Sequence, residues 1–450
     1  MLVREIPGRV DLAALAAAEP MRYACLLESA AAHPRTGRYD ILFACDPDQS
    51  WEEPPHDPAV PNGAGGFLDR LDARWREARR DATRAGLAGE LPFQGGWVVF
   101  LSYELAAECE PGLRLPAPSA PLPRAAALRS PAAILYDHAH ARTMLVAEPG
   151  SAEWLDRLAH DVEVAAGHIA EDVPLAPVAW REDDPGSFIA GVERIHEYLL
   201  AGDTFQVNLS REWRAELATP VAPAQLYRAL RDANPAPFSG LLQLAGGAIL
   251  SSSPERLVRV RGDVVETRPI AGTRPRARAG EDVIRIGELI GHPKERAEHI
   301  MLLDLERNDL GRVAVPGSVE VNELMTVESY THVHHIVSNV RARLRPGVTP
   351  GAVIRAVFPG GTITGCPKVR CMEIIAELEG VGRGPYTGAL GYLNHDGGMD
   401  LNILIRTLWL SGSLVRVRAG SGIVADSIPA RELEETRAKA RGVLNALPGV

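Results

Sequence analysis

The sequence predicts an α+β fold built on large antiparallel sheets with helices outside them. Three observations lead there. Short apolar runs bounded by tight turns recur, as in Leu257-Val-Arg-Val260, the turn Arg261-Gly262-Asp263 and the following Val264-Val-Glu-Thr267, which together read as a hairpin. Helical periodicities interrupt runs of such strands rather than following each one, which argues against a doubly wound parallel sheet. At 450 residues, 46% hydrophobic and 24% charged, the chain can fill two domains or one large elaborate core.

Taken in order, Tyr39-Asp-Ile-Leu-Phe-Ala-Cys45 reads as a strand stopped by Asp46-Pro47. Residues 67–85 form an amphipathic helix, with Phe67, Leu71 and Trp75 spaced by four. Residues 95–103 look like a buried strand, and the proline-rich stretch 116–131 like an extended surface connection. A strand at 132–136 and a helix near 153–170 lead to a Pro- and acid-rich linker at 171–185. That linker divides an N-terminal region, residues 1–180, from a C-terminal domain, residues 185–450. In the latter, helices are expected at 187–201, 291–307, 367–379 and 430–446. Further strands are expected at 204–210, 248–253, 387–393, 402–410 and 414–418.

The formal net charge of −10 argues against nucleic acid as the principal partner. No apolar run reaches the ~18 residues of a membrane span. Residues 1–20 lack the apolar core of a signal peptide. The five cysteines, Cys25, Cys45, Cys109, Cys366 and Cys371, are scattered and odd in number. They read as reduced thiols in a cytoplasmic protein. Lysine is nearly absent: Lys294, Lys368 and Lys439 are the only three among 48 basic residues. Each falls in a dense motif, as though these sites need a compact ammonium rather than a guanidinium fork.

The densest motif runs from Phe358 to Ile375. Gly360 and Gly361 precede Thr362, Thr364 and Gly365 follow, and Pro367 opens a helix. Glycines allow a ligand close to the backbone, and a helix start favours anions. Two acidic pairs stand out elsewhere. Glu295 and Glu298 share one face of a helix, and Glu432 and Glu435 share a face of another that starts near Pro429. Taken singly, such pairs also suit a solvated helix face. Brought together, they make an oxygen-rich set suited to Mg²⁺.

Several motifs, in order, resemble the chorismate-utilising enzymes. They are Ser253-Pro-Glu-Arg256, Pro269-Ile-Ala-Gly-Thr-Arg-Pro-Arg276, the run from Ala297 to Asp309, Phe358 to Ile375, Tyr386 to Tyr392, Ile405-Arg-Thr407 and Ala419 to Asp426. Leu26-Leu-Glu-Ser29 and Arg38-Tyr-Asp-Ile41 are similar to the amino-terminal part of the amine-adding members. The resemblance implies an α/β sandwich of two large antiparallel sheets with outer helices. It implies Mg²⁺ held by Glu298 and Glu435, with Glu295 and Glu432 acting through waters, and a substrate carboxylate met by Gly420, Ser421 and Gly422. It places Arg406 and Tyr386 on the enolpyruvyl carboxylate, with Thr273 also on the substrate side. Glu255 matches the general acid that helps the C4 hydroxyl leave, and such an acid needs a raised pKa. His335, Thr362 and Lys368 complete the expected catalytic set. A tryptophan pocket around Leu27, Glu28, Ser29 and Pro235 is a further expectation.

Which member is nearest depends on a few positions. Ala271 stands where water-adding members, and many aminodeoxychorismate synthases, carry lysine, and a methyl group cannot be a nucleophile. Anthranilate synthases carry alanine there as well. In contrast, Phe205-Gln-Val-Asn-Leu209, Pro237-Phe-Ser-Gly240 and Phe358-Pro-Gly-Gly-Thr-Ile-Thr-Gly365 are similar to component I of aminodeoxychorismate synthase. That member is therefore the expectation: chorismate and ammonia give 4-amino-4-deoxychorismate, toward 4-aminobenzoate and folate. Either direct attack by ammonia or help from another group would serve in place of a lysine. The ammonia implies a separate glutamine amidotransferase subunit, since no cysteine here sits in a glutaminase-like elbow. The alternatives are component I of anthranilate synthase and, in another class, a non-catalytic scaffold for the glutaminase.

Overall fold

A computed structural model describes residues 1–31, 37–59, 65–84, 91–166, 175–275, 293–329 and 333–449. The side chains of 271–275 and 293–298 lie outside that description, as do residues 276–292 entirely. In chain order the N-terminal part holds β1 (Leu2–Ile6), α1 (Leu12–Ala18), β2 (Cys25–Glu28), β3 (Tyr39–Glu52), α2 (Phe67–Arg84), β4 (Gly96–Leu101), α3 (Ala106–Cys109), β5 (Ala125–Asp137), β6 (Arg142–Ala147) and α4 (Glu153–Ala166). Next come β7 (Arg181–Glu182), α5 (Pro185–Ala201), β8 (Gln206–Glu216), α6 (Pro223–Ala233), β9 (Phe238–Leu244), β10 (Gly247–Ser253), β11 (Arg256–Arg261), β12 (Val264–Arg268) and β13 (Ile270–Pro275). The rest is α7 (Pro293–Gly311), β14 (Glu320–Ser329), β15 (Val333–Arg343), α8 (Pro350–Val357), β16 (Gly365–Cys366), α9 (Lys368–Glu379), β17 (Ala389–Asn394), β18 (Met399–Asn402), β19 (Thr407–Ser411), β20 (Leu414–Ile423) and α10 (Pro429–Leu444).

The strands pair antiparallel in one branched network that opens into two limbs at β5. One limb runs from β5 through β3, β2, β9, β10, β19 and β20 to β8. The other runs through β4, β17, β18, β11 and β12 to β15. Phe43, Phe100, Leu242, Ile249, Leu390 and Trp409 form a buried core drawn from both limbs. The limbs therefore face each other as the two layers of a sandwich. Helices α2, α7 and α8 cover the outside of the β15 limb, α1, α4, α6 and α10 cover that of the β8 limb, and α5 and α9 pack on β8 itself. This is the mixed helix and large antiparallel sheet fold that the sequence implies. No helix among the described residues is long and apolar enough to cross a membrane.

Local chemistry fixes the ends of elements. Asp184 caps α5 by accepting from the Ser187 N–H at 2.8 Å, Pro185 opens the helix, and Gly202 at φ +80° closes it. Where β17 crosses β18, a Cβ on Gly391 would lie 1.9 Å from the Asp400 carbonyl oxygen. Only glycine permits that pairing.

Several elements depart from the sequence expectations. β5 begins at Ala125, inside the stretch read as an extended connection. The helices α6 and α8 and the strands β9, β13, β14 and β15 stand where no element was assigned. Much of the expected linker, residues 167–174, lies outside the described residues. The segments on its two sides share sheets: β2 pairs with β9, and β4 with β17.

Candidate active site

The site is centred on Glu255, in the tight connection between β10 and β11. Ser253 Oγ accepts from the Glu255 N–H at 3.2 Å, and the Ile403 N–H donates to the Glu255 carbonyl at 3.0 Å. These bonds fix the backbone, so the carboxyl points one way. Its Oε1 accepts from Thr362 Oγ1 at 2.9 Å and faces the Ile270 N–H at 3.5 Å. Burial pushes the carboxyl up to about 7, although Thr362, Lys439 and Arg406 all pull the other way. A carboxyl in that range can hold a proton and release it near neutral pH, as a general acid must. With Oε1 occupied by donors, Oε2 is the oxygen left to carry the proton.

The glycine-rich stretch brings Thr362 to this place. Gly361–Ile363 form a short helical turn after Gly360. Gly365, at φ +133°, then lets the chain pass β8 so closely that a Cβ would lie 2.1 Å from the Gln206 carbonyl oxygen. Lys368, one turn further on, does not face Glu255 in this arrangement. It forms an ion pair with Asp309, and its ammonium also donates to the Val357 carbonyl at 3.3 Å.

Arg406 and Tyr386 approach from the other side. Arg406 is half-buried and lies in the left-handed region at φ +50°. For a non-glycine residue this costs on the order of 1 kcal/mol. Thr387, next to Tyr386, is also left-handed at φ +63°. Two such residues around one cleft fit a backbone bent to present side chains to a ligand. Burial holds the Arg406 guanidinium below its ordinary value, with Glu255 as the opposing charge. The Tyr386 hydroxyl lies over Gly420: a Cβ there would be 2.9 Å from it and 2.6 Å from Asn208 Oδ1.

Gly420, Ser421 and Gly422 lie on β20 opposite Ser210, Leu209 and Asn208 of β8. Helix α10 packs on this strand and brings two of the predicted acids to it. Ser421 Oγ donates to Glu432 Oε2. Glu435 pairs with Lys439 at 2.7 Å, and the Lys439 ammonium donates to the Gly420 carbonyl at 3.1 Å. The side chains of Glu295 and Glu298, on α7, lie outside the described residues, as does that of Thr273. Among the described residues, no group of three or more acids, histidines or cysteines forms a metal site. His335 is buried on β15 and stands in register with Thr273 of β13.

Sequence reasoning missed the network beneath the site. Glu379 and Arg383 are both buried, with Arg383 Nη2 at 2.7 Å from Glu379 Oε1. Arg418 Nη2 reaches Glu379 Oε2 at 3.0 Å, and the Ser210 N–H and Oγ donate to Oε1 at 2.9 and 2.8 Å. Arg383 also donates to the carbonyls of Ile363 at 3.0 Å and Asn208 at 2.7 Å. It therefore ties the glycine-rich turn to β8. The available signal was a carboxylate and a guanidinium four residues apart across the end of α9.

Away from this cleft, Glu28, Ser29 and Pro235 line a cavity of about 800 Å³ together with Arg9, Asp40 and His138. Leu27 is not part of its wall and packs instead toward the core between the sheets. Tyr227 donates to Glu28 at 2.8 Å, and Arg231 pairs with it at 3.2 Å.

Residues 51–445 match the family described as chorismate binding enzyme. Aminodeoxychorismate synthase component 1 of Bacillus subtilis (strain 168) is 43% identical over 368 residues, covering 79% of this chain and 77% of that protein. Anthranilate synthase component 1 of Streptomyces coelicolor is 42% identical over 383 residues, 81% of this chain and 75% of that one. The crystal structure of anthranilate synthase component I from Streptococcus pneumoniae TIGR4 superposes with a TM-score of 0.78 at 33% identity, over 92% of this chain and 93% of that one. The chain belongs to the chorismate binding enzymes and is a chorismate-utilising enzyme.

Proposed function

We propose that the chain is component I of an aminodeoxychorismate synthase, a cytoplasmic enzyme making 4-amino-4-deoxychorismate from chorismate and ammonia. The two named relatives are about equally similar, so the reading rests on the site. The observation that carries it is Asn208. This residue and Thr364 belong to the motifs that favour this member. The Asn208 N–H donates to the Thr364 carbonyl at 2.9 Å, and its side chain stands over Gly420. Asn208 thus stands between the glycine-rich turn and the Gly420 strand, which supports the reading.

In this reading Arg406 and Tyr386 hold the enolpyruvyl carboxylate, where a planar guanidinium suits two oxygens. Glu255 gives its proton to the C4 hydroxyl, which leaves as water while the amine nitrogen bonds to the ring. The ammonium nitrogen then returns a proton to Glu255. Ala271 offers no nucleophile, so ammonia attacks the ring itself. A glutamine amidotransferase partner supplies that ammonia.

The described part of the metal set fits Mg²⁺. Glu432 and Glu435 are hard oxygen donors one turn apart beside Gly420, and an ammonium from Lys439 already stands there among carbonyl and carboxylate oxygens. Glu298 and Glu435 are the proposed direct ligands, with Glu295 and Glu432 acting through waters. When bound, the ion neutralises the ring carboxylate and fixes its position. Removing Mg²⁺ with a chelator should abolish turnover, and Glu435→Gln should raise the Mg²⁺ concentration needed for half-maximal rate about tenfold or more.

The deciding assay combines the chain, chorismate, Mg²⁺ and ammonium salt. A product that yields 4-aminobenzoate only after a separate lyase is added supports the proposal. Fluorescent anthranilate replaces it with the second reading, which Ala271 favours. Unconsumed chorismate with folded, metal-loaded chain indicates a scaffold.

A further inference from the structure

We propose that Glu306, on α7, is a positioning residue that sets the protonation of Glu255 from the far side of the glycine-rich turn. The inference rests on Glu255 acting as a proton donor and is independent of which ring carbon is aminated.

Glu306 is 6% exposed and packs against the turn whose next residue, Thr362, donates to Glu255. A Cβ built on Gly361 would be 3.5 Å from Glu306 Oε1. The Thr267 hydroxyl of β12 faces the same carboxyl. Two buried carboxyls, Glu255 and Glu306, therefore flank one turn, and a third, Asp309, is buried three residues beyond Glu306 on α7. Lys368 of α9 is paired with Asp309, and among the described residues no ion pair holds Glu306. An uncompensated carboxyl in such a place keeps its proton.

The groups facing Glu306 act in both directions, and those that favour the proton prevail. Burial pushes it up most, Asp309 on its own helix adds to that, and Glu255 across the turn adds again. Lys368 opposes, and Thr267 favours the carboxylate. The result is a carboxyl at about 8, beside the general acid at about 7. The two ionisations are coupled through space: once Glu306 loses its proton, its charge makes the proton on Glu255 harder to remove. Glu306 thus extends the pH range in which Glu255 stays protonated.

The test is the pH profile of chorismate consumption for Glu306→Gln against wild type, with Mg²⁺ and ammonium salt. Taking the variant-to-wild-type ratio at each pH cancels the ionisation of ammonia. The amide cannot ionise, so Glu255 should lose its proton without that reinforcement. The ratio should be constant below about pH 7 and fall several-fold above about pH 8. A constant ratio throughout, even if below one, means a structural role and overturns the proposal. If Glu306→Gln does not fold, infrared titration of Glu255→Gln decides. A buried carboxylic-acid carbonyl band that disappears at lower pH than its wild-type counterpart, because the Glu255 charge is gone, supports the proposal, and the lack of one or an unchanged midpoint overturns it. Wild-type turnover in Glu255→Gln instead refutes the general acid while leaving that band in place, so the two failures are distinguishable.

Discussion

Replacing Arg383 by Met tests whether the buried network under the site bears the fold. Arg383 is 1% exposed and stacks over the rings of Tyr103 and Tyr386 at 5.0 and 5.5 Å. Met keeps much of the volume and loses the charge. Glu379, also 1% exposed at its side chain, would keep Arg418 and the two Ser210 donors but lose one of two cations. The carbonyls of Ile363 and Asn208 would lose their guanidinium donors. Breaking a buried pair by removing one partner costs about 3–5 kcal/mol, and an unsatisfied buried carbonyl about 1–3 kcal/mol. The surviving Arg418 and the apolar gain of Met offset part of this, which leaves a net cost of about 3–5 kcal/mol. That is a large fraction of the ~5–15 kcal/mol that typically separates folded from unfolded chains.

Urea unfolding followed by circular dichroism reads this as a lower midpoint with similar slope. A second signature is the pH dependence. Burial alone raises Glu379, but Arg383 and Arg418 outweigh it and hold the carboxyl below its usual value. Its stabilising contribution is therefore complete above the unfolded value of about 4.3 and disappears as pH falls through the lower folded value. Arg383→Met raises that folded value. The stability gap between variant and wild type should consequently narrow as the solution is acidified below about pH 4. A loss under about 1 kcal/mol at neutral pH, or a gap that widens in acid, would refute the account.

Two further outcomes follow from the cleft. Thr362→Val removes a donor that favours the ionised form of Glu255, so that carboxyl should rise from about 7. The alkaline fall of turnover should then move upward by roughly one pH unit, and a limb that stays or moves down contradicts the role given to Thr362. Gly420→Ala sets a methyl 2.8 Å from the Leu209 carbonyl and 2.9 Å from the Tyr386 hydroxyl. Overpacking of this kind costs about 1–3 kcal/mol. The displaced tyrosine should raise KM for chorismate about tenfold, and an unchanged KM would remove Tyr386 from the substrate's carboxylate.

How far the sequence reveals this molecule depends on what each strand buries. Strands β3, β4 and β17 bury apolar side chains between two sheets, and their runs of Ile, Leu, Val and Phe are readable directly. β15 was missed for a physical reason. His335, Ser338 and Asn339 are all buried there, which erases the alternation that marks a strand. Ser338 Oγ accepts from the Met325 N–H at 2.9 Å and contacts the ring of His299, so these polar groups are satisfied only by residues distant in sequence. The same holds for Glu379, whose second cation, Arg418, comes from β20. Glu255 could be picked out as a candidate because its motif, Ser253-Pro-Glu-Arg256, is short and local. Glu306 carried no such mark: on α7 it is one acid among several, and only the turn folded over it gives it a role. Hydrophobic period therefore fades where a strand buries polar side chains against partners distant in sequence.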